Sequence, residues 1–222
     1  MKNLTKILLT ISLPIFILLM VFQLVVFDLG YFEKKFVEND TPSITGLSMD
    51  QLMRVSDQTL DYLKDKRGDL IIYEEMNGET IQVFKGREIE HMVDVKDLFM
   101  IGFTIRNISG VISFLSAAYL WMKYKKSILQ SIRAGSILFF AVIVSIGFFA
   151  FLDFNRAFTI FHELLFTNDL WLLNPETDIM IQMLPLDFFM GLGLKIAIIY
   201  IVYLILSFII TSVLIRKRFN NE

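Results

Sequence analysis

The sequence predicts an α-helical integral membrane protein with four transmembrane helices, an extracytoplasmic cap that contains a helix and a β-hairpin, and an interfacial aromatic helix. Hydrophobic residues make up 55% of the 222 residues, and the mean hydropathy of +0.60 is too high for an ordinary soluble domain. Four apolar runs are each long enough to cross the hydrocarbon core of a bilayer, which takes about 20 residues. They are Ile7–Phe27, Phe99–Met122, Ile132–Leu152 and Leu192–Ile215.

The first apolar run follows Lys2 and Lys6, as the apolar part of a secretory signal would. Its apolar stretch is too long for a cleaved signal, and no small-residue cleavage site follows it. We therefore expect Ile7–Phe27 to be a retained anchor helix.

Lysine and arginine residues in the short connections indicate the orientation of the four spans. If the spans alternate in direction, nine such residues fall on one side, which is then the cytoplasmic side. They are Lys2, Lys6, Lys123, Lys125, Lys126, Arg133, Arg216, Lys217 and Arg218. Both termini are therefore expected in the cytoplasm, and the segments Asp28–Leu98 and Asp153–Gly191 are expected outside it.

The two expected outer segments are acidic. They hold 22 acidic and 10 basic residues, and a surface of that sign disfavours nucleic acid and other anionic partners. The chain has no cysteine, which excludes disulfides, a thiolate nucleophile and a zinc–thiolate centre.

The first outer segment is long enough to fold as a cap. Ser48–Gln51 resembles a capping box that opens a helix, and Gly68 is typical of a stop beyond it. Asn77-Gly78 separates the strand-like runs Leu70–Met76 and Glu79–Phe84, a pattern that predicts a β-hairpin.

Two further stretches of this segment have simple signals. Thr41-Pro42-Ser43 is typical of a turn. A helical pattern begins near Arg87, and we expect it to continue into the second span without a break.

The second outer segment begins with an apolar stripe at helical spacing, formed by Phe154, Phe158, Phe161 and Leu165. This stripe predicts a short helix that lies in the membrane interface rather than crossing it. Trp171 fits the interfacial aromatic belt, and Asn174-Pro175 turns the chain. We expect Ile179–Leu184 to stay close to lipid.

The chain has two histidines, His91 and His162, and the orientation places both on the outer side. Histidine is the side chain best suited to moving protons near neutral pH. In a helix, Asp94 shares a face with His91 and would orient its ring, as the acid does in hydrolytic triads. For His162 we expect a partner among Asn168, Asp169 and Arg156. The alternative for each ring is an ordinary interfacial histidine.

Arg106 lies inside the second span, with Asn107 beside it. A charge within the membrane costs roughly 2.5–3.5 kcal/mol on insertion scales, so it usually marks a functional or structural pairing. The alternative is that the guanidinium reaches outward to the interface.

Common catalytic signatures are absent from the sequence. His162-Glu163 begins like the helix of a zinc protease but lacks the second histidine, and there is no Gly-x-Ser-x-Gly elbow, phosphate loop or dinucleotide fingerprint. Two alternatives remain open at this point: a metal-dependent membrane hydrolase that uses both histidines and a carboxylate, and a non-enzymatic sensor or transporter accessory protein with a binding cap.

Two longer motifs resemble those of a known family. The first is Glu90–Lys96, which precedes a transmembrane helix; the second is Phe161-His162-Glu163 with the downstream residues Asn168, Asp169, Trp171, Asn174, Pro175, Asp178 and Pro185. Together with the number of spans and the loop lengths, these motifs resemble the bacterial lipoprotein intramolecular transacylases over the whole chain.

The resemblance implies a substrate and a reaction. Members of the family act on lipoproteins whose N-terminal cysteine carries a diacylglyceryl thioether. They move the sn-2 acyl chain to the α-amine of that cysteine, which leaves an N-acylated lyso form. The implied partners are diacylglyceryl-modified lipoproteins and membrane lipid in a bacterial cell membrane, and no cofactor or metal is expected.

The resemblance also suggests roles for the candidate residues. In this hypothesis His91 deprotonates the α-ammonium while Asp94 orients its ring, and His162 protonates the departing glycerol oxygen or stabilises the oxyanion. Exchange of the two roles, and an acyl-histidine intermediate, remain open. Further residues are expected to support the reaction or to bind substrate: Asn168, Asp169, Arg106 and Arg156 in support, and Trp171, Phe158 and Phe161 as substrate-binding residues.

Overall fold

The structure is a computed structural model that describes the backbone of residues 1–219 and the side chains of residues 1–217. The side chain of Arg218, one of the nine basic residues that indicate the orientation, lies outside the described residues. Over the described range the elements follow in this order: α1 (Lys2–Val26), α2 (Leu29–Glu38), α3 (Thr41–Thr45), α4 (Met49–Leu63), β1 (Tyr73–Met76), β2 (Glu79–Gln82), α5 (Arg87–Lys123), α6 (Lys125–Leu152), α7 (Phe154–Leu165), α8 (Ile179–Met183) and α9 (Leu186–Phe219).

Four of these helices, α1, α5, α6 and α9, are long and apolar enough to cross a membrane. The predicted fold class, a four-span helical membrane protein with a small hairpin, is therefore confirmed. The helix α5 has 37 residues and is continuous from Arg87, as expected. Its first ten residues, Arg87–Lys96, hold five charged side chains, so the apolar stretch of α5 begins after them.

The chain divides into two compact units. We call the first the membrane-helix unit: it comprises Met1–Leu24, Gly102–Asp153 and the chain from Gly193 onward. The second, which we call the cap unit, comprises Val25–Ile101 and Phe154–Leu192.

Small and polar residues hold the helices of the membrane-helix unit together. Ser12 Oγ on α1 lies 2.8 Å from Ser113 Oγ on α5, and the Tyr200 hydroxyl on α9 donates to the Pro14 carbonyl at 2.9 Å. A Cβ atom on Gly135 of α6 would lie only 2.6 Å from the Thr10 carbonyl oxygen. Only glycine therefore permits this approach, which is typical of helix packing in lipid.

The cap unit confirms two local predictions. Ser48 and Gln51 form the capping box of α4, each bonding the backbone amide of the other. The strands β1 and β2 pair antiparallel, with Met76 opposite Glu79. Asn77 and Gly78 have φ values of 55° and 83°, the two positive angles that a type I′ hairpin turn requires.

One prediction for the outer segments is wrong. Thr41–Thr45 forms the short helix α3 rather than an open turn, because Pro42 in its first turn fits a helix start, where its missing N–H is no loss. Ile179–Met183 forms the short helix α8, with Met180 and Met183 only 5% and 2% exposed; that Ile179–Leu184 stays close to lipid remains a prediction. The sequence also gave no signal for α2, whose N-cap is Asp28.

Candidate active site

The two histidines of the chain lie side by side within the cap unit. His91 comes from the second turn of α5 and His162 from the last turn of α7. Their ring centroids are 6.1 Å apart, with 37° between the ring planes. Both residues are buried, at 8% and 7% exposure. Two imidazoles 71 residues apart in the chain therefore share one site.

His162 is enclosed by aromatic rings. Phe158 lies 4.3 Å from it between centroids, and Trp171 stacks on it at 4.8 Å with 28° between the planes. Phe161 and Phe166 approach at 5.4 and 5.7 Å. The family resemblance implies that Phe158, Phe161 and Trp171 bind substrate, whereas in the structure all three pack against His162. Their direct binding of substrate remains a prediction.

The backbone fixes the proton position on the His162 ring. Its Nδ1 lies 2.7 Å from the Phe158 carbonyl oxygen, one helical turn earlier. A carbonyl oxygen only accepts, so in this contact Nδ1 carries the hydrogen and Nε2 carries the lone pair of the neutral ring. The nitrogen available for proton transfer is therefore Nε2.

His91 has a different environment. The edge of Phe166 packs on its ring at a centroid distance of 5.3 Å, and its buried Nδ1 has no hydrogen-bond partner among the described residues. Asp94, which was predicted to orient this ring, instead accepts a hydrogen bond from the Asn168 amide at 2.8 Å. The carboxylate of Asp94 therefore links α5 to the chain after α7 through Asn168, instead of bonding directly to His91 as expected.

Burial lowers the pKa of both histidines. The pKa of His91 falls to about 4, because burial and the neighbouring His162 disfavour its charged form more than the carboxylate of Asp94 favours it. Burial also lowers the pKa of His162, although the Phe158 carbonyl partly opposes this. Both rings are therefore neutral near pH 7, and repulsion disfavours two protons on the pair.

A titration of the purified protein tests these shifts. Because the chain contains two histidines, ring-labelled histidine should give two resolvable NMR signals. We expect the His91 signal to titrate near pH 4 and the His162 signal below its ordinary value. In the variant His162→Gln the pKa of His91 should rise, because the second imidazolium is removed. Two signals that titrate near 6.5, the ordinary histidine value, would contradict the buried neutral pair.

The same shifts predict how stability depends on pH. In the unfolded chain histidine binds a proton near pH 6.5, whereas His91 in the folded protein does so near pH 4. The unfolded state therefore binds more protons between these values, and the His91 contribution to the free energy of unfolding is lost as pH falls through this window.

Three polar contacts hold the start of α5 against the chain that follows α7. Besides the Asn168 contact with Asp94, the Arg87 guanidinium donates to the Asp169 carbonyl at 2.7 Å and lies 3.6 Å from its carboxylate. The buried carboxylate of Glu88 accepts the backbone amides of Met180 and Lys85, each at 2.8 Å. These contacts position both histidine-bearing helices.

These contacts differ from the hydrogen-bond partners that the sequence predicts. Asn168 and Asp169, expected as partners of His162, bond to residues of α5. Glu88 and Phe166 were missed. The one available signal for Glu88 was its position three residues before His91, which places both on one helix face. No local pattern marks Phe166.

Two arginines retain their roles as predictions. Arg156 lies on α7, exposed, six residues before His162. Arg106 lies in the membrane-helix unit, where its guanidinium donates to the Asn107 side chain at 2.8 and 3.1 Å and lies 5.1 Å from the Phe103 ring. The pairing of Arg106 with Asn107 gives this intramembrane charge a local partner.

A metal-dependent hydrolase needs several His, Cys, Asp or Glu side chains close together as metal ligands. Within the described part of the chain, no group of three or more His, Cys, Asp or Glu side chains lies close enough to hold a metal ion. The two histidines therefore have no carboxylate arranged with them as a third ligand there.

The fold and the site together define a polytopic membrane protein with a buried histidine pair. Residues 7–189 match the family model described as "Lipoprotein intramolecular transacylase Lit". The chain therefore belongs to the lipoprotein intramolecular transacylase family, and it is an enzyme of this class; a non-enzymatic binding protein is not favoured.

Solved structures show the same fold. The membrane-integral lipoprotein intramolecular transacylase Lit from Bacillus cereus matches with a TM-score of 0.85 and 24% identity, over 98% of this chain and 97% of that chain. Variants of that protein with one histidine replaced by arginine or by alanine match with TM-scores of 0.80 and 0.79, at 23% and 24% identity. The arginine variant covers 100% of this chain and 95% of its own, and the alanine variant 98% and 95%. No curated protein sequence matches this chain.

Proposed function

We propose that this transacylase moves the sn-2 acyl chain of a diacylglyceryl-modified lipoprotein to the α-amine of its N-terminal cysteine, with His91 and His162 as the proton-transfer pair. The observation that supports this most is the 6.1 Å separation of the two histidine rings. At this distance both rings can act on one ester and its amine. The substrate supplies the nucleophile, so the enzyme needs neither a serine nor a cysteine for it.

The reaction balances without a cofactor. The amine nitrogen attacks the ester carbonyl carbon, a C–N bond forms, and the bond from that carbon to the glycerol oxygen breaks. One N–H proton leaves the nitrogen, and one proton joins the glycerol oxygen. Since amine and ester belong to one molecule, the enzyme gains most of its advantage by orienting them.

The pKa values suggest how the pair divides this work. We assign proton removal to His91. As the C–N bond forms, the attacking nitrogen becomes much more acidic, so an imidazole with a pKa of about 4 is basic enough to accept its proton. We assign proton delivery to His162, because the Phe158 carbonyl accepts from its Nδ1–H and thereby partly offsets the effect of burial on its charged form, and because the face of Trp171 stacks on the ring. Since both rings start neutral and the pair disfavours two protons at once, the proton that His91 takes from the nitrogen passes to Nε2 of His162, which delivers it to the glycerol oxygen. Asn168 and Arg106 remain candidates for stabilising the oxyanion.

The charge pattern supports an extracytoplasmic site. The nine basic residues of the short connections lie on the side opposite to Asp28–Leu98 and Asp153–Gly191 if the spans alternate, and these two segments carry the histidines. The acyl chains of the substrate then lie in membrane lipid while its peptide lies outside the cell.

Expression in a bacterial host that lacks lipoprotein N-acylation tests the activity. Because the acyl chain moves within one molecule, the mass of the reporter N-terminal peptide should not change. Fragmentation in the mass spectrometer should instead show that one acyl group is attached to the cysteine nitrogen rather than to the glycerol. A peptide that keeps its free amine, or one that gains a third acyl chain, would contradict the proposal.

A further inference from the structure

We infer that a groove beside the histidine pair binds the positively charged α-amino group of the lipidated substrate together with the first part of an acyl chain. The inference rests on the proposed function and names the portion of the substrate that this part of the site holds. The groove has a volume of about 220 Å³. Its walls include Asp94, Asp97, Leu98, Ile101, Leu165 and Phe166.

The carboxylates in the groove lack a cationic partner. Asp94 and Asp97 are three residues apart on α5 and share a face. Among the described residues neither forms an ion pair with a basic side chain, and the Asp94 carboxylate is bonded to the neutral amide of Asn168. Lys96, which lies between them in the sequence, pairs with Asp65 at 2.7 Å instead. The negative charge is therefore free to attract a cation.

Apart from Thr167 and Asn168, the rest of the groove is apolar. Leu98 and Ile101 follow the two carboxylates along α5, and Leu165 ends α7. Ile101 and Leu165 are 56% and 42% exposed, although both are large hydrophobic residues. A surface that changes from carboxylate to aliphatic along one helix suits a cation that carries a hydrocarbon tail better than it suits a metal ion or a hydrophilic peptide.

Phe166 connects the groove to the histidine pair. It lines the groove and packs against both rings, at 5.3 Å from His91 and 5.7 Å from His162. Asp94 follows His91 by one helical turn. The bound ammonium first loses one proton to water, and the free amine is then held about one helical turn from His91, the ring to which we assign removal of the second proton.

Asp97→Asn, in the full-length enzyme reconstituted in nanodiscs, tests the groove with a diacylglyceryl-cysteine peptide as substrate. Loss of one charge-assisted contact should raise KM roughly threefold to tenfold and leave kcat nearly unchanged, because the nitrogen carries positive charge both in the bound ammonium and as it attacks the ester. The matched control is Glu90→Gln, since Glu90 is exposed on the same helix and does not line the groove. An unchanged KM in Asp97→Asn, or an equal rise in Glu90→Gln, would overturn the inference.

Dodecylammonium serves as a probe that separates the groove from the reaction. We expect it to compete with the lipopeptide in the wild-type enzyme, to compete several-fold more weakly in Asp97→Asn, and to outcompete dodecanol, which lacks the charge. If dodecylammonium and dodecanol act alike in both proteins, the groove does not bind a cation. If the wild-type enzyme binds dodecylammonium through Asp97 but never acylates the lipopeptide nitrogen, the proposed function fails while the groove stands.

Discussion

Replacement of either histidine by alanine is expected to reduce N-acylation of a reporter lipoprotein by a factor of about 10² to 10⁴, the range that a positioned acid–base group contributes. His91 and His162 are the two histidines of the chain, and in the described structure their rings share one buried site. Loss of one ring leaves the other without a second group for a reaction that both removes and adds a proton. Fragmentation of the reporter N-terminal peptide by mass spectrometry gives the acylated fraction.

The controls separate catalysis from folding. Glu163→Gln changes an exposed residue directly next to His162, so it should keep full activity. His162→Gln fills much of the same space and can still donate to the Phe158 carbonyl, yet it cannot carry a proton, so it should be as inactive as His162→Ala. Normal N-acylated product from both single alanine variants would show that the pair is not the proton carrier.

Sequence patterns predicted the features of this fold that depend on residues close together in the chain, namely the long apolar helices, the hairpin turn and the start of α4. Hydropathy identified the four long helices because the bilayer requires about 20 apolar residues for each crossing. Asn77-Gly78 predicted the hairpin because these residues tolerate positive φ, and Ser48 with Gln51 predicted the start of α4. The resemblance of two histidine motifs to one family then predicted the reaction, which no local pattern could supply.

The contacts around the histidines could not be predicted in the same way. Asn168 is 74 residues from Asp94, and Met180 is 92 residues from Glu88, so their pairing depends on how α5 packs against the chain after α7. Periodicity within one segment does not encode that packing. The fall in the pKa of His91 has the same origin, because it follows chiefly from burial. The helical spacing of His91 and Asp94 predicts a carboxylate near the ring, but it does not predict how far the ring is buried from water.

Glu88 is the residue whose replacement should most disturb the site without touching either histidine. Its side chain is 4% exposed, and burial raises its pKa, while the two backbone amides that it accepts lower it again. Those amides belong to Met180 of α8 and to Lys85, just before α5. The carboxylate therefore joins α8 to the helix that carries His91.

Glu88→Gln is expected to lower the free energy of unfolding by about 1–3 kcal/mol, the usual cost of leaving a buried polar group without a partner. The glutamine side chain keeps one oxygen that can accept a hydrogen bond. Its NH₂ group would face the second backbone N–H, and since both groups are donors, one of the two hydrogen bonds from Met180 and Lys85 is lost. Hydrogen exchange measured by mass spectrometry should accelerate at Met180, and thermal unfolding should shift to lower temperature. Glu90→Gln, on the same helix but exposed, should change neither.

The effect on activity should follow from the same contact. Release of α8 from α5 loosens the chain between Asn168 and Met180, which also carries Trp171, the ring stacked on His162. We expect Glu88→Gln to reduce N-acylation while both histidine signals remain visible by NMR, with the pKa of His91 moving towards 6.5 as water enters. If exchange at Met180 and the His91 titration both stay as in the wild type, the buried carboxylate does not hold the site together, and the position of the rings must depend on the Arg87 and Asp94 contacts alone.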